Sequence, residues 1–273
     1  MLGAPAGSPV KPTAFVLVAA WAVVVPAAAR AGAAACWFEE GAVVVPAAVA
    51  GVAGDYILDT GAPTTQLHET RAQGAGFIAT ALTGEVRVAG ERLAGRPVAV
   101  VDLDPRTWAF RTPIAGVIGA DVLAGYVVDV SFAPCRVALY RPGHEPAFGR
   151  GLSLPMRRLG GLPVVTARVS DGASVLEGDF VPASGADTAV RLDPRLAQVP
   201  GAARAQDVAP YGARRAQVAA LTFAGRRFER VAGGLLDATD APGAAGVVGA
   251  PALALWRLRF DFPRGRLRLA PAR

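Results

Sequence analysis

Short apolar runs recur along the chain and are separated by turn residues. Valine-rich stretches such as residues 43–45 and 98–101 are typical of β-strands, because β-branched side chains fit a pleated sheet better than a helix. Glycine and proline, with 32 and 22 copies, interrupt these runs at short intervals. Pro-Arg-Gly at residues 263–265 lies between two such runs and predicts a β-hairpin. The pattern predicts an all-β, turn-rich protein.

An internal repeat divides the chain into two homologous halves. Gly-Val-Ile-Gly-Ala-Asp-Val-Leu at residues 116–123 recurs as Gly-Val-Val-Gly-Ala-Pro-Ala-Leu at residues 246–253, a shift of 246 − 116 = 130 positions. The same shift aligns residues 93–96 with residues 223–226. A polar stretch rich in proline and glycine, residues 141–151, separates the halves. We therefore expect lobe one at 36–146 and lobe two at 152–273.

The halves share a second motif but differ in it at one position. Tyr-Ile-Leu-Asp-Thr-Gly-Ala at residues 56–62 reappears as Phe-Val-Pro-Ala-Ser-Gly-Ala at residues 180–186, a shift of 183 − 59 = 124. Ala183 therefore stands where the first copy has Asp59. An acid in a turn can simply accept backbone N–H bonds. A chemical role is favoured here because Asp59 follows an apolar strand and its motif recurs.

This pattern resembles the active-site loop of aspartic peptidases of the retropepsin and pepsin type. The resemblance covers nearly all of residues 42–269. It implies two homologous retropepsin-like β-barrel lobes that form a pepsin-like pseudo-dimer with a central cleft. Asp59 would be the catalytic residue, and Ala183 the degenerate catalytic position. Residues that would support the loops, with the two hydroxyls locking them together across the lobes, are Thr60, Gly61, Ala62, Ser184 and Gly185.

The missing acid limits the chemistry that one chain can perform. Two carboxylates about 3 Å apart share a proton, so that one activates a water while the other donates to the substrate carbonyl. Asp59 facing a methyl group lacks that partner, and proton shuttling is worth about 10² to 10⁴ in rate. A single chain should therefore be a poor peptidase.

Three arrangements remain open for the function. Two chains could pair through their first lobes, so that Asp59 and its symmetry mate form the dyad. Asp187, four residues after Ala183, could act as a substitute acid. We favour peptide-bond hydrolysis by an Asp59-activated water, because a half-buried carboxylate is costly without a use. The alternative is a catalytically inactive pseudo-peptidase that binds extended peptides by strand addition or acts as an envelope interaction protein.

The first 35 residues are typical of a signal peptide. Residues 14–29 are apolar, and this run is shorter than a membrane-spanning helix and contains Pro26. Cleavage sites of the A-x-A type lie at 27–29 and 33–35, and the second would leave Cys36 at the new N-terminus. We expect an exported protein, periplasmic or secreted, in preference to one anchored in the membrane by a lipid on Cys36.

The remaining chemistry-bearing residues are few. Cys36 and Cys135 are the two cysteines, and the sequence leaves a disulfide and two free thiols equally open. His68 and His144 are far apart, so neither a metal site nor a cofactor is predicted. The net charge of +6 falls to +4 when Lys11 and Arg30 are removed with the signal peptide. The arginines are scattered among acids, which argues against nucleic acid and leaves a peptide or protein as the expected partner.

Overall fold

The computed structural model describes residues 1, 3, 32–170, 175–192, 206–208, 213–235 and 243–272. The described residues from 32 to 272 belong to one compact unit. Strands contain 58% of the residues and helices 9%, which confirms the all-β prediction.

In the described part of the first half, the first strand starts at residue 33 and the last two strands form a hairpin. Its strands are β1 (Ala33–Ala35), β2 (Trp37–Glu39), β3 (Ala42–Val49), β4 (Val52–Leu58), β5 (Gln66–His68), β6 (Ala81–Val88), β7 (Glu91–Val101), β8 (Ile114–Ile118), β9 (Val127–Phe132) and β10 (Cys135–Tyr140). Its helices are short: α1 (Glu69–Gly74), α2 (Asp104–Thr107) and α3 (Ala120–Leu123).

The described part of the second half repeats this order of strands with one addition, β16, which has no counterpart in the first half. They are β11 (Leu152–Pro155), β12 (Arg157–Leu159), β13 (Leu162–Ser170), β14 (Val175–Ala183), β15 (Val190–Leu192), β16 (Gln206–Val208), β17 (Ala213–Phe223), β18 (Arg226–Leu235), β19 (Gly246–Gly249), β20 (Trp256–Asp261) and β21 (Arg266–Pro271). Helix α4 (Ala250–Leu253) follows β19 just as α3 follows β8.

In each half six strands close into a barrel. The order in lobe one is β3, β4, β8, β5, β7 and β6, and β6 pairs back with β3. The order in lobe two is β13, β14, β19, β15, β18 and β17, and β17 pairs back with β13. Strand β4 runs parallel to β8, and β14 runs parallel to β19. The prediction of two homologous β-barrel lobes in a pepsin-like arrangement is confirmed.

Continuous apolar runs form strands that are buried on both faces. In β3, Val43 and Val45 point into the main core, whereas Val44 packs in a second cluster with Ile57 and Val117. Successive side chains of a strand point to opposite faces, so a strand covered on both sides needs an unbroken apolar run. This explains why residues 43–45 are all valine.

A third sheet joins the lobes. Its order is β1, β10, β9, β20, β21 and β11, so that β9 of lobe one pairs with β20 of lobe two at its centre. Asp129 lies opposite Arg259 in this register, and 129 + 130 = 259 makes them counterparts in the repeat. The pseudo-two-fold axis that relates the two halves therefore passes between these two residues.

Asp129 and Arg259 form a bidentate ion pair at that point. Arg259 donates from Nε to Oδ1 at 2.6 Å and from Nη2 to Oδ2 at 2.7 Å. The arginine side chain is 4% exposed. Burial alone would lower the pKa of Arg259, but the hydrogen bonds and charge of Asp129 raise it above its ordinary value. The two parallel hydrogen bonds of this pair connect lobe one to lobe two in a defined orientation.

One part of the repeat alignment is wrong. The turn between β6 and β7 is made by Ala89 and Gly90, with φ values of 47° and 80°. The turn between β17 and β18 is made by Ala224 and Gly225, with φ values of 52° and 74°. These left-handed turns are the structural counterparts, at a shift of 224 − 89 = 135, whereas residues 93–96 lie within β7. Residues 93–96 and 223–226 are similar in sequence, and this similarity predicted a shift of 130, but they are not structural counterparts.

The two cysteines form a disulfide that ties the start of the described chain to the shared sheet. Cys36 and Cys135 are bonded with a Cα–Cα distance of 5.0 Å. This bond is incompatible with a lipid on Cys36. Most of the predicted signal peptide, residues 2 and 4–31, lies outside the described residues. In the part of the chain that is described, no helix is long and apolar enough to cross a membrane.

Candidate functional site

The two motif loops meet where the lobes face each other. Asp59 directly follows β4, and Ser184 directly follows β14. Thr60 and Ser184 are fully buried, and Asp59 is 5% exposed. The structure thus brings together the loops that the sequence predicted to form one site.

Hydroxyl groups lock these loops together with two-fold symmetry. Thr60 Oγ1 donates to the carbonyl oxygen of Pro182 at 2.6 Å and accepts from the N–H of Ser184 at 3.1 Å. Ser184 Oγ donates to the carbonyl oxygen of Leu58 at 2.7 Å and accepts from the N–H of Thr60 at 3.1 Å. Each lobe therefore satisfies buried backbone groups of the other.

The motif glycines permit a close approach between the loops. A Cβ on Gly61 would lie 2.5 Å from Cβ of Ala183, and a Cβ on Gly185 would lie 2.7 Å from Cβ of Asp59. Either contact is far shorter than carbon atoms tolerate, so only glycine fits. Ala183 and Asp59 consequently occupy matching positions on the two sides of the site.

The helices α3 and α4 dock on the same loops. The carbonyl oxygen of Ala62 accepts from the N–H of Ala120 at 2.7 Å, and that of Ala186 accepts from Ala250 at 3.0 Å. The last alanine of each motif therefore supports its loop through the backbone.

The position of the second acid is apolar in lobe two. Ala183 is 3% exposed and belongs to an apolar cluster with Val181, Leu162 and Val247. Its methyl group offers no proton to share. The loop is thus preserved as a structural element without the carboxylate that the resemblance implies.

An arginine that lies outside every sequence motif also contributes to the site. Arg106, on α2, donates from Nη2 to Oδ2 of Asp59 and to the carbonyl oxygen of Gly185, the latter at 3.2 Å. The guanidinium forms an ion pair with Asp59 and contacts the loops of both lobes. It lies 106 − 59 = 47 residues beyond Asp59 in a segment without a motif, which is why sequence reasoning missed it.

Both oxygens of the Asp59 carboxylate accept hydrogen bonds. Oδ1 accepts from the N–H of Gly61 at 2.8 Å and from the N–H of Gly185 at 3.3 Å. Oδ2 is taken by Arg106. The side chain of Asp59 is 7% exposed and that of Arg106 is 29% exposed, so the arginine is the more accessible polar group at the floor of the cleft.

Polar contacts hold the short helix that carries Arg106. His68 Nε2 lies 3.1 Å from Oδ1 of Asp104 at the start of α2. Asp102 Oδ1 accepts from the N–H of Asp104 at 2.8 Å. Ligand atoms of these three residues lie within 4.8 Å of one another, a spacing that could suit a cation. Because their contacts already anchor α2, we assign them that structural role.

Glu39 holds the chain just after α2. It accepts from the N–H of Arg111 at 2.6 Å and, with its other oxygen, from the hydroxyl of Thr112 at 2.6 Å. Burial would raise the pKa of the Glu39 carboxyl, but bonds from Thr112, Arg111 and Trp37 lower it below its ordinary value. The loop that presents Arg106 is therefore fixed at both ends.

Asp187 lies near the loops but faces elsewhere. Its carboxylate accepts from Arg191, four residues later. Its backbone packs against Gly41, where an added Cβ would lie 2.6 Å from the carbonyl oxygen of Asp187. Within the described residues, the side-chain partners of Asp59 are Arg106, Gly61 and Gly185.

Comparison with known proteins agrees with this geometry. A family model described as aspartyl protease matches residues 45–127, a segment that contains both Asp59 and Arg106. No curated protein matches the sequence. The structure is similar to an aspartic proteinase from Irpex lacteus with a TM-score of 0.52 and 13% sequence identity, over 89% of this chain and 97% of that one. At that identity the likeness concerns the fold. The family match in lobe one and the pepsin-like fold both agree with the resemblance to aspartic peptidases that the loop motifs indicate.

Proposed function

We propose that this chain binds extended peptides between its lobes and does not hydrolyse them. The ion pair between Asp59 and Arg106 is the observation that carries this proposal. Family chemistry needs one proton shared by two carboxylates. A guanidinium instead stabilises a single ionised carboxylate and does not give up a proton in proteins. Hydrolysis at this site lacks its general acid.

The ion pair also removes the reason for expecting Asp59 to be catalytic, which was the cost of an unpaired carboxylate. A half-buried carboxylate is costly when it has no partner. Asp59 has a cationic partner and two backbone N–H donors. Its retention is therefore explained without an enzymatic use.

The route through a lobe-one homodimer is disfavoured by what already occupies the site. The loop of lobe two is bonded to Thr60 and lies against Gly61. The first lobe of a second chain would have to occupy the position that lobe two already holds. In the same symmetric register, its Asp129 would also face Asp129 of the first chain, since this position pairs with its counterpart. Like charges directly opposite each other in a sheet are destabilising.

Peptide binding is a function that this fold could perform without catalysis. We place the ligand between the two barrels, above the paired loops, and the family match covers the part of lobe one that carries Asp59 and Arg106. Extended peptides bind such sites by hydrogen bonding to strand backbones, a mode that needs no catalytic group. Peptides or extended protein segments are accordingly the proposed ligands.

Export remains part of the proposal. The apolar run at residues 14–29 supports it, and so does the disulfide, which is characteristic of oxidising compartments. Strand β1 pairs with β10, and cleavage after Ala35 would remove β1. Cleavage at residues 27–29 would retain it, so we propose the earlier site.

The test combines cleavage with binding. The full chain is incubated with a mixed peptide library at acid and neutral pH, and the peptides are analysed by mass spectrometry, with binding measured on the same library. We expect intact peptides, saturable binding and a monomer in solution. Pepstatin-sensitive cleavage that Asp59→Asn abolishes would overturn the proposal, and a dimer that cleaves would point to the symmetric dyad. Absence of both cleavage and binding would also overturn it.

A further inference from the structure

Arg106 retains unused hydrogen-bond donors at the floor of the cleft. Its bonds to Asp59 and Gly185 both come from Nη2. Among the described residues, Nε and Nη1 have no partner, and neither is a buried unsatisfied atom, so both are open to solvent. A guanidinium carries five N–H donors in a rigid planar fork. Most of that fork is available to a ligand.

We propose that Arg106 is the anchor for the ligand peptide and donates to one of its internal carbonyl oxygens. This inference rests on the proposed function and names the group of the ligand that is recognised. Because Arg106 contacts the loops of both lobes, the bound carbonyl lies midway along the cleft. The residue that prevents hydrolysis thus also provides the specific contact.

The charge of the site favours a carbonyl over a carboxylate. Asp59 already neutralises Arg106, and its Oδ2 lies against the same guanidinium. A ligand carboxylate would place a second negative charge beside Asp59, and like charges at such distances repel strongly in a partly buried site. A neutral carbonyl accepts from the charged fork without that cost. Hydrogen bonds from charged donors are the stronger kind.

The test uses two arrays of the same octapeptide sequences, one with amidated C-termini and one with free carboxylates. Binding of the wild type is compared with that of Arg106→Met and Arg111→Met. Arg111 is a matched control because it is an exposed arginine from the same loop. We expect the wild type to bind amidated peptides, Arg106→Met to bind them about 10- to 100-fold more weakly, and Arg111→Met to bind like the wild type.

The variant Arg106→Met leaves the Asp59 charge unpaired, so folding is checked by circular dichroism and thermal unfolding. The double variant Asp59→Asn/Arg106→Met removes both charges and should show the same weak binding if the single variant does not fold. Equal binding by the wild type and a folded Arg106 variant would overturn the anchor while leaving peptide binding intact. Binding restricted to free carboxylates would overturn the choice of a carbonyl. Failure of the wild type to bind either array would overturn the proposed function with it.

Discussion

The two loops at the floor of the cleft have the same backbone contacts and opposite chemistry. Thr60 and Ser184 exchange equivalent hydrogen bonds across the lobes. Asp59 is charged and paired with Arg106, whereas Ala183 packs among apolar side chains. The hydrogen bonds that join the two loops therefore do not depend on the presence of the second carboxylate. Lobe two keeps the part that holds the lobes together and lacks the part that would cut a peptide.

A similar contrast is found at the edges of the shared sheet. The N–H of Cys36 donates to Cys135 at 3.3 Å, and the N–H of Met156 donates to Gly265 at 2.9 Å in the matching place of lobe two. Lobe one adds a disulfide to this bond. Both lobes therefore make this backbone contact, and in lobe one the disulfide reinforces it.

The largest effect should come from restoring the chemistry of lobe two. In Ala183→Asp/Arg106→Ala, two carboxylates would face each other without the guanidinium. We expect this variant to cleave peptides, about 10² to 10⁴ faster than the same protein without the new acid, which is the usual worth of a positioned proton donor. Hydrolysis of a fluorogenic peptide library at acid pH measures it. Ala183→Asn/Arg106→Ala is the isosteric control, and equal rates for the two variants would count against the assignment.

Removing one member of the ion pair between the lobes should have the next largest effect. Arg259→Met leaves Asp129 without its partner in the shared sheet, and we expect the free energy of unfolding to fall by about 3–5 kcal/mol. Urea denaturation measures the loss. The double variant Asp129→Leu/Arg259→Met leaves no charge there and should recover most of it. A double variant as unstable as the single one would show that packing of the arginine matters instead.

Lobe one should depend on its disulfide. Cys36 and Cys135 are 99 residues apart, so the double variant Cys36→Ser/Cys135→Ser frees a long loop in the unfolded chain. We expect a loss of about 2–4 kcal/mol in unfolding free energy. Thermal unfolding with and without reductant checks this. Reductant should destabilise the wild type and leave the double variant unchanged.

Removing either hydroxyl of the hydrogen bonds between the loops should lower the stability by a similar amount. Thr60→Ala and Ser184→Ala each leave a buried N–H and a buried carbonyl without a partner. We expect each to cost about 1–3 kcal/mol in unfolding free energy. Chemical denaturation of both variants compares them. A large difference between the two would mean that the lobes do not share the lock evenly.

The smallest effect concerns Glu39, whose counterpart in lobe two is Leu159. The folded state lowers the pKa of Glu39 below its ordinary value of 4.5. The stability it contributes is therefore present above that value and is lost as the pH falls through the lower folded-state pKa. Urea midpoints of the wild type and Glu39→Gln should differ at neutral pH and converge in acid. A constant difference across pH would contradict this account.

The sequence predicted the features that lie within contiguous motifs. The repeat indicated two barrels, and the paired loops indicated that Ala183 faces the site of Asp59. Arg106 could not be found in this way, because its role depends on how the loop between β7 and β8 folds back over the cleft. The distance between Cys36 and Cys135 likewise depends on the pairing of β1 with β10. Such long-range contacts leave no periodic or local signal.

The register of the central sheet has an evolutionary consequence. An ancestor made of two identical chains would present the same residue on both sides of such an axis, and therefore could not place an acid against a base there. Only a chain that carries both copies can place Asp129 opposite Arg259. Two identical subunits in this arrangement would set acid against acid or base against base.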